Sequence, residues 1–210
     1  MQLDVYRADH EGEHDAAHAD QECDSLGVIT AAVLAVPLLA MVLKLGAPDP
    51  GNGTDGVNWG PIDFAVMGVL ILGAGLLFEY AASRARNVAH KLAVGIAVAA
   101  GLLLIWVNLA VGMIGDDGNA ANLLYIFVLF VALIGASIAR FEPREASIAM
   151  FATAAAHALV AAIALVAGLG PTLPADAFFI GAWIASALLF RQASVASPRP
   201  DDGPVRPAAA

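Results

Sequence analysis

The stretch KLAVGIAVAAGLLLIWVNLAVGMI, residues 91–114, decides the fold, because it is long and apolar enough to cross a lipid bilayer. The polar segment GDDGNAAN (115–122) follows it, and a second apolar run occupies residues 122–140. Gly, Asn and Asp dominate the polar segment, which is the composition of a tight turn. The pattern therefore predicts two membrane helices joined by a short turn.

The same alternation of apolar runs and short polar segments extends over most of the chain. Of its 210 residues, 60% are hydrophobic and only 14% are charged, whereas about a quarter are charged in soluble domains. We predict an all-α fold, a polytopic membrane bundle of six transmembrane helices. The predicted spans are residues 26–45, 62–82, 91–114, 122–140, 146–168 and 176–193.

The basic residues predict the orientation of these spans, because cytoplasmic loops of membrane proteins are enriched in Lys and Arg. With six spans, every basic residue except Lys44 falls on one side of the membrane. We therefore expect both termini to be cytoplasmic. The residues on that side are Arg7, Arg84, Arg86, Lys91, Arg140, Arg144, Arg191, Arg199 and Arg206.

Two polar segments flank the predicted transmembrane domain, which covers residues 26–193. The leader, residues 1–25, is acidic, and the tail, residues 194–210, is rich in Pro; we expect both to be disordered. In the leader, His10, His14 and His18 recur at every fourth position and would share one face of a helix. These imidazoles are weak candidates for Zn, Ni or Cu ligands. The competing interpretation is a solvated acidic leader without a metal.

The turn after the third predicted span admits two interpretations. Asp116, Asp117, Asn119 and Asn122 could offer oxygen ligands to a hard cation at the outer surface. Alternatively the segment is a structural turn, in which Asn119 or Asn122 caps the fourth helix. We favour the structural turn, because the segment matches no recognised ion-binding loop.

Asn108 and His157 are the polar residues that the prediction places deeper in the bundle. Asn108 shares a helical face with Gly101 and Gly112, so its amide would bond across a helix-packing seam, worth about 0.6–2 kcal/mol. His157 lies near the middle of the fifth predicted span, where an ionisable side chain is a functional-site hypothesis. It is either a proton relay or cofactor ligand, or a neutral histidine that bonds across helices. We favour the neutral histidine, because we count no second ionisable group at similar depth.

Residues nearer the outer surface have structural explanations. Asp63 begins the second predicted span, where a carboxylate complements the partial positive charge of a helix N-terminus. Trp59, Trp106 and Tyr125 are expected to form an aromatic belt at the outer membrane interface.

One part of the chain resembles a known group of proteins. WVNLAVG (106–112), followed by Ile114-Gly115, Asn119, Ala121-Asn122 and Tyr125, resembles a motif of small uncharacterised multi-pass proteins of the bacterial inner membrane. Trp59, Asp63-Phe64, Gly73 and Glu79-Tyr80 are similar to a second motif of that group. The resemblance covers the second to fourth predicted spans. It implies a bacterial inner-membrane location and no particular activity.

Two functional classes therefore remain open, and we favour the first. The first is a structural or accessory membrane protein that acts through helix contacts with itself or another membrane protein. The second is a small homo-oligomeric transporter or channel for a proton, a cation or a small solute. Its path, or the polar contacts of the bundle, would be formed by Asp63, Asn108, Asp116, Asn119, Asn122 and His157.

Other classes lack support in the sequence. We find no Ser-His-Asp arrangement, phosphate loop or dinucleotide fingerprint, so we predict neither an enzyme nor a cofactor. The basic residues form no face for nucleic acid, and the lipid bilayer is the expected partner. A third class, metal sensing, would depend on the three leader histidines alone.

Overall fold

The computed structural model describes residues 60–110, 112–114, 119–140, 142–169 and 172–196, together with Ala35 and Leu39. Within these ranges the structure contains helices and no strand. The long helices are α1 (Pro61–Ala82), α2 (Val88–Ala110), α3 (Leu123–Ala139), α4 (Pro143–Val166) and α5 (Leu173–Ala196). A short 3₁₀ turn, Ala120–Asn122, precedes α3.

Each of these five helices, with α3 taken together with the 3₁₀ turn as Ala120–Ala139, is long and apolar enough to cross a membrane by length and composition. The all-helical multi-pass fold is therefore confirmed for five of the six predicted spans. Apart from Ala35 and Leu39, the first predicted span lies outside the described residues. The leader with its three histidines, Trp59, Asp116 and the tail from residue 197 lie outside them too.

Helices α4 and α5 begin earlier than the sequence predicts. Helix α4 starts at Pro143, a residue suited to the first helical position because it has no N–H to leave unpaired. It ends at Val166, and Gly168, two residues further on, has a φ of +63°. The backbone N–H of Leu169 donates to the carbonyl of Ala164 over 2.9 Å, which closes the helix end. Helix α5 starts at Leu173, so Asp176 belongs to its first turn.

The chain divides into two units, Met1–Gly75 and Leu76–Ala210, and α1 crosses the boundary between them. In the second unit, α5 packs against α2 and α4, and α4 also packs against α3. The interior includes Leu104, Val128 and Phe190. Outward faces of these helices carry large exposed apolar side chains, which suits contact with lipid rather than water.

Two serines make hydrogen bonds between helices of the second unit. The Ser186 hydroxyl on α5 donates to the Ala93 carbonyl on α2 over 2.8 Å, and the Ser147 hydroxyl on α4 donates to the Ala187 carbonyl on α5 over 2.8 Å. Asn108 instead donates its Nδ2 to the Leu104 carbonyl of its own helix. These two serines therefore make bonds across helices of the kind predicted for Asn108, whereas Asn108 bonds within its own helix.

The described basic residues of the second unit lie at one of its ends. Arg86 Nη2 lies 2.8 Å from Glu142 Oε1, and Asn87 Nδ2 donates to the Ala193 carbonyl over 3.2 Å. These two contacts bring the segment before α2, the α3–α4 connection and the end of α5 together. The basic residues of these segments are Arg84, Arg86, Lys91, Arg140, Arg144 and Arg191. They therefore share the end of the second unit that we call the basic end.

The crossing of α3 and α4 gives a test of the packing. A Cβ added at Gly135 would lie 2.8 Å from the Ala149 Cβ and 3.4 Å from its Cα, whereas one added at Gly181 meets no atom within 4 Å. We therefore expect Gly135→Ala to lower the melting temperature of the purified protein in detergent. Gly181→Ala, the matched control on an exposed face, should leave it unchanged. Equal melting temperatures for the two variants would contradict this close helix crossing.

Candidate functional site

Four buried polar or aromatic side chains meet inside the second unit. They are Tyr125 on α3, His157 on α4, and Asp176 and Trp183 on α5, and each is at most 1% exposed. We call these four residues the buried network. Tyr125 and Asp176 lie in the first turns of their helices, whose opposite ends carry the basic residues. The network therefore lies towards the end of the bundle that is remote from the basic end.

The Asp176 carboxylate is the centre of the buried network. The Tyr125 hydroxyl donates to its Oδ1 over 2.9 Å, and His157 Nε2 lies 3.2 Å from the same oxygen. The Trp183 indole N–H donates to His157 Nδ1 over 3.3 Å. Hydrogen bonds thus connect three helices through one carboxylate oxygen and one imidazole ring.

Aromatic rings enclose the imidazole. The Phe179 ring stacks on that of His157 at 5.7 Å between centroids with an interplanar angle of 22°, and the Tyr125 ring lies at 5.4 Å. The buried Thr172 side chain lies beside the Tyr125 hydroxyl. Rings and helix backbones therefore keep His157 in a fixed orientation and away from solvent.

The hydrogen bonds determine the tautomer of His157. An indole N–H can only donate, so His157 Nδ1 must accept the bond from Trp183. A neutral imidazole that accepts at Nδ1 carries its proton on Nε2, and this proton points to Asp176 Oδ1. An imidazolium would place an N–H at Nδ1 against the Trp183 N–H. The geometry therefore holds a neutral His157 that donates to Asp176.

The second carboxylate oxygen of Asp176, Oδ2, differs from Oδ1 in its hydrogen bonding. Asp176 Oδ2 is buried and has no hydrogen-bond partner among the described residues. Within the same part of the chain, the only ion-pair partner of Asp176 is His157. Burying an ionised carboxylate in an apolar bundle is expensive, and among the described residues Asp176 meets only two neutral donors and the N-terminus of α5. Oδ2 is therefore the atom of this site that is available to a ligand.

The structure corrects two parts of the sequence interpretation. The expectation that His157 has no second ionisable group at its depth was wrong, because Asp176 bonds to it. The assignment of Tyr125 to an interfacial aromatic belt was also wrong, since its side chain is fully buried and bonded to Asp176. Asp176 was not among the predicted site residues, because the sixth predicted span begins at that residue and so places it at the edge. Pro174 was the available signal, because proline favours the first turn of a helix and so indicates an earlier start.

Asn119 and Asn122 have structural contacts in the turn before α3. Asn119 Oδ1 accepts the Ala121 N–H over 3.0 Å and so caps the 3₁₀ turn. Asn122 is buried; its Oδ1 accepts the Ile114 N–H over 2.8 Å, and its Nδ2 donates to the Ile114 carbonyl over 3.4 Å. The Asn122 amide thus makes hydrogen bonds to both backbone groups of Ile114. These bonds tie the α2–α3 connection to the 3₁₀ turn before α3.

Asp63 and Asn108 also bond to backbone. In the first unit, Asp63 Oδ2 accepts the Gly60 N–H over 2.7 Å at the start of α1, the reciprocal bond of a capping box. Asn108 donates to its own helix, and its buried Oδ1 has no partner among the described residues. The other candidates from the sequence lie outside the described residues; they are Asp116, Asp117, His10, His14 and His18.

The part of the chain that the structure describes contains no group of three or more His, Cys, Asp or Glu side chains that could hold a metal ion. The buried network contributes one imidazole and one carboxylate, and both imidazole nitrogens already make hydrogen bonds. Its composition is that of a polar site for a proton or a small ligand.

No protein-family model matches the chain, and no curated protein and no solved structure matches it either. The resemblance of two segments to small bacterial inner-membrane proteins therefore stays a prediction.

The Asn122 contacts give a stability prediction. Asn122→Ala leaves the buried N–H and carbonyl of Ile114 without their partner, which costs about 1–3 kcal/mol. We expect a clear fall in the melting temperature of the purified protein. Asn119→Ala removes an exposed cap and should have a smaller effect. The opposite order of the two variants would show that the Ile114 contacts do not stabilise the connection.

Proposed function

We propose that this protein is a small transporter or channel of the bacterial inner membrane, in which the buried network binds the transported ion or solute. The unpartnered Oδ2 of Asp176, buried beside His157, is the observation that carries the proposal. Ionisable groups within membrane helices are expensive to bury and commonly mark a path for ions, protons or substrates. A bundle that served only for packing would gain stability from apolar side chains at these positions.

The helix contacts give less support to an accessory role. The close approach of Gly135 to Ala149 joins two helices of the same chain and is no evidence for an external partner. Native mass spectrometry of the protein, extracted gently from its membrane, separates the two classes. Stoichiometric binding to another membrane protein would favour the accessory role, whereas a homo-oligomer agrees with the transporter.

We assign binding rather than catalysis to the buried network. A His-Asp pair activates a nucleophile through the imidazole nitrogen that faces away from the carboxylate. Here that nitrogen, Nδ1 of His157, accepts a hydrogen bond from Trp183, and an indole N–H is no nucleophile. The arrangement therefore supports a non-enzymatic role.

The proposed orientation places the basic end in the cytoplasm and the buried network nearer the outer face. The support is the collection of Lys and Arg at one end, which the Arg86–Glu142 and Asn87–Ala193 contacts bring together. With residues 26–45 as a further span, both termini are cytoplasmic. The bacterial inner membrane is proposed from the motif resemblance alone.

Labelling of introduced cysteines tests the orientation in a Cys23→Ser background. Ser83 and Ala120 are exposed and lie at opposite ends of the described helices. We expect a membrane-impermeant maleimide to label Ala120→Cys in intact cells, and to label Ser83→Cys only after the membrane is permeabilised. The reverse pattern would place the buried network near the cytoplasmic face.

Transport is tested with purified protein in liposomes on a solid-supported membrane, with concentration jumps of protons, Na⁺, K⁺ and small solutes. We expect a protein-dependent current that Asp176→Asn reduces to the level of protein-free vesicles, because the amide removes the ligand-binding charge. Glu145→Gln alters an exposed carboxylate in the first turn of α4 and is the matched control, expected to keep the current. A current that Asp176→Asn leaves intact, in a folded variant, would contradict the proposal.

A further inference from the structure

We infer that the ligand of the buried network is a proton, which binds at Oδ2 of Asp176 while His157 stays neutral. This inference rests on the proposed function, because it names the chemical species that the site binds. It begins from the unequal surroundings of the two carboxylate oxygens. Oδ1 accepts bonds from Tyr125 and His157, whereas Oδ2 is buried without a partner in the described structure.

The coordination chemistry favours a proton over a metal cation. A Na⁺ or K⁺ ion in a dry site needs several oxygen ligands around it, as hard cations generally do. The Tyr125 hydroxyl lies beside Asp176 but already donates to Oδ1, and the Thr172 side chain lies beside that hydroxyl. Transition metals prefer imidazole nitrogen, but both nitrogens of His157 are engaged. A proton needs only one lone pair, and Oδ2 supplies it.

Trp183 determines whether His157 or Asp176 takes up the proton. Protonation of His157 at Nδ1 would set two N–H donors against each other across the 3.3 Å between His157 Nδ1 and Trp183 Nε1. Protonation of Asp176 at Oδ2 leaves every hydrogen bond of the buried network in place. The site therefore takes up its proton on the carboxylate.

The proton balance of the step is simple. A hydronium ion in water gives up a proton as its O–H bond breaks to leave a water molecule, an O–H bond forms at Asp176 Oδ2, and the charge of the carboxyl group changes from −1 to 0. No other bond forms or breaks, and no electron is transferred. Among the described residues, the titratable groups that face Asp176 are Tyr125 from α3 and His157 from α4, and both stay neutral donors to Oδ1.

The consequence is a site that alternates between a charged and a neutral state. In the charged state, a single negative charge lies among apolar helices, which favours the entry of a cationic species. In the neutral state, the network is a set of uncharged hydrogen-bonded groups, which costs far less to keep away from water. Loading with a proton therefore changes the electrostatic free energy of the whole bundle interior.

Infrared difference spectroscopy of the full-length protein in lipid nanodiscs tests where the proton binds. We expect a carbonyl-stretch band of a buried carboxylic acid that vanishes on raising the pH and shifts in D₂O. The band should be absent in Asp176→Asn and retained in Asp63→Asn. Exchange of Na⁺ and K⁺ for choline should leave its pH midpoint unchanged. A missing band, or a midpoint that follows Na⁺ or K⁺ concentration, would overturn the inference.

Nitrogen NMR of protein labelled with ¹⁵N-histidine tests the neutrality of His157. The signals of His157 are those that His157→Asn removes. We expect the neutral tautomer with its proton on Nε2 across the pH range of the carboxyl band. In Trp183→Phe, which removes the opposing N–H, an imidazolium at position 157 should become accessible. An imidazolium in the unsubstituted protein would overturn the inference.

The spectroscopic measurement tests the proton site and the transport measurement tests the transporter, so either proposal can be contradicted without the other. A titrating Asp176 band without any transport current supports the proton site and contradicts the transporter. A current that follows Na⁺ or a solute, without an Asp176 band, contradicts the proton site and supports the transporter. If Asp176→Asn does not fold, Tyr125→Phe replaces it: loss of one donor to Oδ1 should shift the carboxyl band. An unshifted band would overturn its assignment to Asp176.

Discussion

A carboxylate inside a membrane bundle must find its hydrogen-bond donors within the protein, because lipid hydrocarbon offers none. This constraint acts on Asp176, and it explains how the neighbouring helices are arranged. Tyr125 reaches the carboxylate from α3 and His157 reaches it from α4, so two other helices must approach α5 at the same depth. The packing of α4 against both α3 and α5 is what satisfies this requirement.

The helices of the second unit also approach one another closely. Side chains as short as serine can bond to a neighbouring backbone only where two helices nearly touch, as Ser147 and Ser186 do. At the α3–α4 crossing, Gly135 leaves no room for a further carbon beside Ala149. In a bilayer, such contacts supply much of the association between helices, because apolar side chains gain little by leaving lipid for protein.

The buried network also shows that the tautomer and charge of a histidine in a membrane protein depend on the partners of both ring nitrogens. With the Asp176 contact alone, His157 would be an ordinary partner for a carboxylate and could carry a positive charge. The Trp183 N–H at the other nitrogen reverses that expectation and fixes a neutral tautomer. Within the described residues, Asp176 therefore faces no permanently charged cation, and its Oδ2 has no hydrogen-bond partner.

The sequence by itself determined the helical multi-pass architecture and the approximate positions of five described spans, because the length and apolar content of each segment are local properties. It also singled out His157 as an ionisable residue within a span. It did not reveal the partners of His157, since Tyr125, Asp176 and Trp183 lie on other helices and come together only when α3, α4 and α5 pack. From the sequence, Tyr125 was interpreted as an interfacial residue, and Asp176 lay at the edge of a predicted span. The position of a residue along its helix does not show which neighbouring helix its side chain contacts. Only the tertiary structure decided those contacts, because hydrogen bonds between helices depend on crossing and rotation, which no single segment encodes.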